Sequence, residues 1–240
     1  MSGTSDSAFV ARLRAVTALG EDALGRLAAV WNERREVPRH RQFLKEGDRP
    51  DRLHLVLDGW AARVRLLPDG RRHLYPILPG EICDVDGLHT RHSDYAVVAL
   101  TACRIASADR RAVLALDRAH PQLARLLSWL AVTDNLRFAD LSMSLACHSA
   151  RERLGRFLCE VRMRLEIAGK PQRDGVDLPV TQEVIGDTLG LTPVHVNRTF
   201  RLLRDDRLIH VVGRRLTVPD WAALARDCHF AAVPLRLDAE

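Results

Sequence analysis

Lysine is almost absent from this chain of 240 residues, because Lys45 and Lys170 are the two lysines among its 36 basic residues. The other basic side chains are arginines, whose planar guanidinium suits bidentate contacts with phosphate groups and guanine. The net charge of +5 is small, which excludes a polycation that coats nucleic acid indiscriminately. Genome base composition also produces an arginine bias, so the bias alone does not identify a partner.

Long apolar runs and paired cysteines are also missing. No apolar run approaches the ~18 residues of a membrane-spanning helix, and residues 1–7 lack the basic start and apolar stretch of a secretion signal. The five cysteines lie far apart without a C-x-x-C pair, which argues against a disulfide framework and a structural zinc site. We therefore expect a cytoplasmic protein that does not contact a membrane.

The spacing of apolar residues changes twice along the chain. Residues 8–33 have helical spacing, interrupted at Gly20. Short strand-like runs separated by glycine turns then predict a small antiparallel barrel or jelly roll. These runs are 54–57, 62–66, 73–77 and 97–100. Helical spacing returns after Ser107. The predicted fold class is α+β, with a β-roll domain (1–120), a long helix (121–146) and a C-terminal domain (147–240).

The long helix predicts a homodimer. Residues 121–145 contain no glycine or proline after Pro121, and at ~1.5 Å per residue they span nearly 40 Å, too long to pack only on a small barrel. One stripe, at near-heptad spacing, contains Leu123, Leu127, Leu130 and Leu141, but Asp134 and Arg137 interrupt it. A second stripe contains Leu126, Trp129, Leu136 and Met143. We expect Leu123, Leu126, Leu127, Leu130 and Leu141 at the dimer interface, and which stripe forms the seam stays open.

A capping box marks the start of the next helix. In Ser149-Ala150-Arg151-Glu152, the serine oxygen and the glutamate carboxylate satisfy backbone amides reciprocally. The long helix must therefore break between Ala146 and Ser149, which we predict to be a hinge. The new helix ends near Gly169, and residues 172–177 are predicted to be a polar loop.

Residues 181–204, TQEVIGDTLGLTPVHVNRTFRLLR, predict two short helices joined by a tight turn. Thr181 can cap the first helix, and Gly190 suits a turn that needs positive φ. Thr192 and Pro193 restart the chain as N-cap and first helical residue. Gly186 is small where the second helix would cross. The pattern is that of a helix-turn-helix, in which the second helix enters the DNA major groove.

A tight hairpin is predicted directly after these helices. Residues 208–212 and 215–218 flank Gly213-Arg214 at the tip, as in the wing of a winged helix. Residues 192–218 contain six arginines against two aspartates, which concentrates positive charge where phosphates would lie. The predicted DNA contacts are Thr181, Gln182, Thr192, Val194, His195, Asn197, Arg198, Arg201, Arg214 and Arg215.

These residues, in this order, resemble the Crp/Fnr family of bacterial transcription regulators. GLTPVHVNRTFRLL is similar to the recognition-helix pattern of the family, and EGDRPDRLHLVLDGWAARVRLLPDGRRHLYPILPGEICDVDGL follows its glycine-turned strands. The resemblance covers nearly the whole chain. It implies a cyclic-nucleotide-binding-like β-roll, a dimerisation helix and a winged helix-turn-helix. It also implies a homodimer on a near-palindromic promoter site and a contact with RNA polymerase.

The chain departs from the family where ligands bind. Cyclic-nucleotide binders carry an Arg-Ser or Arg-Thr pair that holds the phosphate, whereas Ser93-Asp94 stands at that place here and Arg91 lies nearby. The oxygen-sensing branch carries an N-terminal cysteine cluster, whereas no cysteine precedes Cys83. We therefore expect neither cyclic AMP nor an iron–sulfur cluster, and the small-molecule effector stays unknown. Many relatives carry glutamate where this chain has Val194.

Two other functions remain as alternatives to a DNA-binding regulator without enzymatic activity. A cupin-like enzyme would hold a metal on its barrel, and His73, His89, His92, Asp84 and Asp86 lie in the predicted roll. Their spacing matches no metal-site pattern, and we expect no metal and no catalytic residue. A winged helix could instead dock on another protein, without binding DNA.

Overall fold

The computed structural model describes residues 6–170, 172, 175–213, 215–232 and 237. Helices α1 (Asp6–Val16) and α2 (Glu21–Ala29) come first. The strands of the roll follow as β1 (Glu33–Val37), β2 (Gln42–Leu44), β3 (Arg52–Asp58), β4 (Ala61–Leu66), β5 (Arg72–Ile77), β6 (Ala96–Ala99) and β7 (Cys103–Asp109). Next are α3 (Arg110–Ala119), α4 (Pro121–Cys147) and α5 (Ala150–Ile167). The chain continues with β8 (Gly175–Asp177), α6 (Gln182–Leu189), α7 (Pro193–Asp205), β9 (His210–Val212), β10 (Arg215–Thr217) and α8 (Trp221–Asp227).

The predicted roll is confirmed as two antiparallel sheets. Sheet A has the order β1-β7-β3, and sheet B has the order β2-β6-β4-β5. The four strand-like runs of the sequence fall on β3, β4, β5 and the end of β6. In sheet B, Ala61 of β4 pairs with Ile77 and with Ala99, which places small and branched side chains on one face. Both faces of β3 and β5 are buried, which is why these strands appear in the sequence as short, nearly continuous apolar runs.

Helices and sheets are stacked in four layers. Helices α1 to α4 cover the outer face of sheet A, where Leu55 is buried. Val56 and Ile77 are buried between the two sheets. The outer face of sheet B, with Ala62 and Leu74, belongs to the same buried cluster as α5 to α8. The roll and the C-terminal half therefore share an apolar core.

The structure corrects part of the predicted dimer interface. Leu123, Leu126 and Leu127 of α4 are at most 2% exposed, because they pack against α1, α2 and sheet A of their own chain. They leave no surface for a partner, so their assignment to the interface was wrong. Leu130 and Leu141 are half-buried and stay predictions. The exposed large apolar side chains of α4 are Val132, Leu136 and Met143.

The break after α4 is as short as the capping box indicates. Ala146 lies in the last turn of α4. Only His148 and Ser149 separate the end of α4 at Cys147 from the start of α5 at Ala150. The Ser149 side chain accepts from Glu152 N, and Glu152 Oε2 accepts from Ser149 N at 2.7 Å, so the capping box is confirmed. That this junction moves as a hinge stays a prediction.

One segment predicted to be loop is a strand. Gly175–Asp177 form β8, which pairs with β10 in a sheet of order β8-β10-β9. Val176, opposite Leu216, is completely buried in the core of the C-terminal half, and this burial outweighs the polar flanking sequence. The wing is therefore three-stranded rather than a two-stranded hairpin.

A buried glutamate joins the two halves. Glu81 follows the turn after β5, where Gly80 has φ 82° and an added Cβ would lie 2.6 Å from Ala8 O of α1. Its carboxylate lies 2.8 Å from Arg12 Nη2 of α1, 3.4 Å from Arg137 Nη1 of α4 and 2.5 Å from Arg164 Nη2 of α5. All four residues are below 9% exposed, so the cluster excludes bulk water.

The charges in this cluster depend on one another. Burial alone would raise the pKa of the Glu81 carboxyl, but attraction to Arg164 and Arg12 outweighs it and lowers the pKa well below its usual 4.5. Arg164 Nη2 also donates to Pro76 O at 2.6 Å, and Arg12 Nη2 donates to Arg164 O at 3.1 Å. Removing the carboxylate would leave three guanidinium groups buried without their shared anion.

We predict that Glu81→Gln lowers the free energy of unfolding at pH 7 by about 3–5 kcal/mol, because it leaves buried positive charge uncompensated. Urea unfolding followed by circular dichroism measures the change. Glu36→Gln on β1 is the matched control, because Glu36 is exposed. Its effect should stay within about 0.5 kcal/mol.

The pH dependence follows from the lowered pKa. The carboxylate of Glu81 stabilises the fold fully above its usual pKa of 4.5, and the contribution falls as the pH decreases towards the folded-state value. The stability difference between wild type and Glu81→Gln should therefore shrink below pH 4.5. A difference that is constant down to acid pH, or equal losses in Glu81→Gln and Glu36→Gln, would contradict the proposed cluster.

Candidate nucleic-acid interface

Helices α6 and α7 form the predicted helix-turn-helix. The Thr181 side chain caps α6 by accepting from Val184 N, and the Thr192 side chain caps α7 by accepting from His195 N. Pro193 is the first residue of α7, where its missing N–H costs nothing. Gly190 has φ 65° in the turn, a conformation that residues with a Cβ rarely adopt. The caps and the turn predicted from the sequence are confirmed.

Gly186 fixes how closely the turn approaches α6. A Cβ on Gly186 would lie 2.4 Å from Leu191 O, which is backbone and cannot move aside. The carbonyl of Gly186 also accepts from Leu191 N at 2.9 Å. The small residue predicted here is therefore needed for the turn itself rather than for contact with the body of α7.

The inner face of α7 is held by the core of the C-terminal half. Val196 and Leu203 are completely buried, in one cluster with Ile185 and Leu189 of α6 and with Phe157 of α5. These residues share one face of α7 at helical spacing. The predicted inward set is confirmed, except that Val184 is only half-buried. Burial of this face orients the opposite face outward.

The outer face of α7 presents the predicted contact residues. Val194 is 78% exposed, and His195, Asn197, Arg198 and Arg201 are exposed. His195 Nδ1 lies 3.0 Å from Thr192 Oγ1. Within the part of the chain that the structure describes, Arg198 forms no hydrogen bond or ion pair. An exposed, unpaired guanidinium near a helix N-terminus suits bidentate contact with guanine O6 and N7.

The wing and α6 extend this surface. Arg215 of β10 is exposed, 3.9 Å from Asp177 Oδ1, and Gly213 turns the hairpin with φ 63°. Arg214, also predicted to contact DNA, lies outside the described residues. Gln182 of α6 and Asn197 of α7 line one groove of about 180 Å³ between α7 and the wing. Thr181, Gln182 and Thr192 are exposed at helix N-termini, where backbone amides bind phosphate oxygens.

The acidic side chains near this surface lie close to arginines, most of them outside the outer face of α7. Asp206 is ion-paired with Arg151 of α5, and Asp205 lies 3.9 Å from Arg201. On α6, Glu183 and Asp187 face Arg72 of β5, with distances of 2.6 and 2.8 Å to its Nη2. The acidic groups of α6 therefore bind the roll, which leaves the outer face of α7 positively charged.

The roll holds an arginine that sequence reasoning missed. Arg63 of β4 is 7% exposed, and its Nη2 donates to Asp134 Oδ2 of α4 at 2.6 Å. Its guanidinium also lies 5.1 Å from the Tyr95 ring centroid and 5.6 Å from that of Phe138. Arg63 shares a strand face with the buried Ala61, and that alternation was the available signal. These groups fill the space between β4 and α4.

Ser93 and Asp94, which stand where the family's cyclic-nucleotide binders hold the phosphate, do not form a phosphate-binding pair in this structure. Ser93 is buried and its hydroxyl donates to Tyr95 O at 2.8 Å, whereas Asp94 and Arg91 are exposed.

The two aspartates considered as metal ligands form hydrogen bonds with other side chains. Asp84 accepts from His54 N and lies 2.7 Å from His54 Nδ1, and Asp86 accepts from the Tyr95 hydroxyl. Among the described residues, no group of three or more candidate ligands could hold a metal ion.

Comparisons with known proteins address both halves. A model of the Crp-like helix-turn-helix domain matches residues 152–227, and one of the cyclic nucleotide-binding domain matches residues 34–120. The nitrogen fixation regulation protein FixK of Bradyrhizobium diazoefficiens is 33% identical over 180 residues, which cover 74% of each chain. The chain belongs to the Crp/Fnr family of transcription regulators. The transcriptional activatory protein AadR of Rhodopseudomonas palustris is 30% identical over 181 residues, again 74% of each chain.

Solved structures show the same fold. FixK2 from Bradyrhizobium japonicum superposes with a TM-score of 0.74 at 23% identity, covering 87% of this chain and 98% of that one. The regulator CLP of Xanthomonas campestris has a TM-score of 0.61 at 20% identity, covering 83% of this chain and 99% of that one. As a Crp/Fnr regulator, the protein binds DNA through its helix-turn-helix. None of the described helices is long and apolar enough to cross a bilayer.

We predict that Arg198→Ala weakens binding to a cognate site by ~1–3 kcal/mol and relaxes selectivity at one base pair, because one base contact is lost. Fluorescence anisotropy with cognate and single-base-substituted duplexes measures both effects. Arg118→Ala on α3 is the control, because it removes the same charge from an exposed arginine of the roll. Equal losses on cognate and random DNA would contradict a base-reading role for Arg198.

Proposed function

We propose that this Crp/Fnr regulator acts as a homodimer whose two α7 helices bind a near-palindromic promoter site. The exposed outer face of α7, with the unpaired Arg198, is the observation that supports DNA reading most directly. Arg198 would read guanine, Asn197 would read adenine or bind phosphate, and Val194 would contact a thymine methyl. Thr181, Gln182, Thr192 and Arg215 would bind the backbone and fix the register.

The dimer seam is proposed to lie on the exposed stripe of α4. Trp129, Val132, Leu136, Ala139 and Met143 alternate at spacings of three and four residues, which is the a and d pattern of a coiled coil. Val132, Leu136 and Met143 are 46%, 39% and 44% exposed, unusual values for large apolar side chains along one helix face. A partner helix on this face would cover them.

Asp134, Arg137 and Asp140 of α4 contact their own chain rather than this stripe. Asp134 binds Arg63, Arg137 contacts Glu81, and Asp140 lies 2.5 Å from Arg156 of α5. Asp134 and Arg137 interrupt the stripe of Leu123, Leu127, Leu130 and Leu141 in the sequence. Because they contact their own chain, the exposed stripe between Trp129 and Met143 is apolar, which supports a helix–helix dimer.

A dimer through α4 would give the two α7 helices the symmetry of a palindromic site. Recognition helices of such dimers meet half-sites about one DNA turn, ~34 Å, apart. The short junction at His148 and Ser149 couples α4 directly to the C-terminal half, so the position of α4 would set this spacing. Regulation at a promoter would also involve RNA polymerase. The proposal includes no catalytic step, no cyclic AMP and no iron–sulfur cluster.

Selection of DNA from a random library, followed by titration of the selected duplex at several salt concentrations, tests DNA binding. We expect a palindromic consensus and an affinity that falls steeply with salt, with slope ~0.9 per phosphate contacted. A winged helix used for docking on protein would select no consensus and show no such slope. A cupin-like enzyme would instead carry stoichiometric metal, which elemental analysis of the purified protein detects.

We predict that Leu136→Glu dissociates the homodimer, because it places like charges opposite each other at the centre of the seam. Sedimentation velocity measures the mass, and the affinity for a palindromic duplex should fall towards that for a half-site. Leu66→Glu on β4 is the matched control, since Leu66 is 63% exposed on the roll. A monomeric wild type, or a dimeric Leu136→Glu protein, would overturn the proposed seam.

A further inference from the structure

A small cavity adjoins the Glu81 cluster. Its walls are α1, the turn and 3₁₀ segment after β5, and the middle of α4, with Arg12, Glu81, Trp129, Thr133 and Arg137 among the lining residues. Its volume is about 40 Å³. Because one water needs roughly 10–15 Å³ measured this way, the space fits about three waters or one small oxyanion.

The polar atoms left without partners at this cavity are all able to donate. Arg12 Nε, Arg137 Nε, Arg137 Nη2 and Thr133 Oγ1 are buried and form no hydrogen bond with the described residues. Arg12, Thr133 and Arg137 are each 4–5% exposed. Buried donors of this kind are normally satisfied, so the occupant of the cavity must supply acceptors.

Two guanidinium groups (Arg12 and Arg137) and two carboxylates (Glu81 and Asp134) line the cavity, and both carboxylates are already paired with guanidinium groups. Three arginines share Glu81, and Asp134 is committed to Arg63 at 2.6 Å while lying 4.0 Å from Arg137. Burial, together with repulsion from Arg137 and Arg164, outweighs the attraction of Glu81 and lowers the pKa of Arg12 to about 10. A further negative charge beside Arg12 and Arg137 would relieve this crowding.

We propose that the cavity binds one small carboxylate anion, held by the guanidinium groups of Arg12 and Arg137 and by the Thr133 hydroxyl. Guanidinium pairs bind carboxylates with short, charge-assisted hydrogen bonds, and the volume admits an anion of the size of acetate. A nucleotide is too large for this space.

The site is separate from the interior of the roll, and its three proposed anion ligands lie outside the segments that the family models match, although Glu81 lies within one of them. Arg63 and Phe138 fill the space between β4 and α4, whereas this cavity lies on the α1 side. Arg12, Thr133 and Arg137 fall outside residues 34–120 and 152–227, which the two family models match. The site deepens the proposed regulator by naming a class of effector, since Glu81 also binds Arg164 of α5, but anion binding itself does not require DNA binding.

The test is isothermal titration of the full-length protein with sodium acetate against sodium chloride at equal ionic strength. We expect one saturable acetate site. Thr133→Val, which removes one hydroxyl donor and keeps the side-chain shape, should weaken acetate binding about fivefold. Arg137→Gln should weaken it more than thirtyfold, since a charged donor is lost. Thr188→Val is the control, because Thr188 is buried but its hydroxyl donates to Val184 O in α6.

Several outcomes would overturn the site. The proposal is wrong if titration gives no saturable heat of acetate binding, or if wild type and Thr133→Val bind acetate with equal affinity. It is also wrong if crystals grown in acetate show only water in the cavity. Thr133→Val keeps the test valid if Arg137→Gln fails to fold. DNA affinity measured without acetate tests the proposed function alone, and acetate binding measured without DNA tests the cavity alone. Failure of the proposed function can therefore be distinguished from failure of the anion site.

Discussion

The carboxylate of Glu81 is shared by arginines from three separate helices. Arg12, Arg137 and Arg164 come from α1, α4 and α5, so the N-terminal helix, the predicted dimer helix and the DNA-binding half all meet at one turn of the roll. Desolvating three guanidinium groups is costly, and only close pairing offsets that cost. The position of α5, and through it of α7, therefore depends on the turn after β5.

The DNA-reading part could be predicted from the sequence because its signals are local. Thr181, Gly190, Thr192 and Pro193 act within a few residues of themselves, as caps and as a left-handed turn. The apolar spacing of α7 likewise fixes its buried face without knowledge of the partner. For the same reason the strands of the roll and the capping box at Ser149 were found.

What could not be predicted depends on contacts distant along the chain. Nothing near Glu81 in sequence indicates that it meets Arg164, 83 residues away. The apolar stripe of α4 was ambiguous because Asp134 and Arg137 interrupt the pattern, and only their contacts with Arg63 and Glu81 show which face stays open. Strand β8 was missed because its pairing with β10 outweighs a weak local preference.

The sharing of one apolar core between sheet B and the C-terminal half has a consequence for dissecting the molecule. Cutting the chain after α4 would uncover Ala62 and Leu74 on the roll and the apolar face of α5 on the other fragment. Large uncovered apolar patches promote aggregation. The shared core therefore predicts that the roll and the C-terminal half unfold together in this conformation, and that fragments separated after α4 aggregate rather than fold independently.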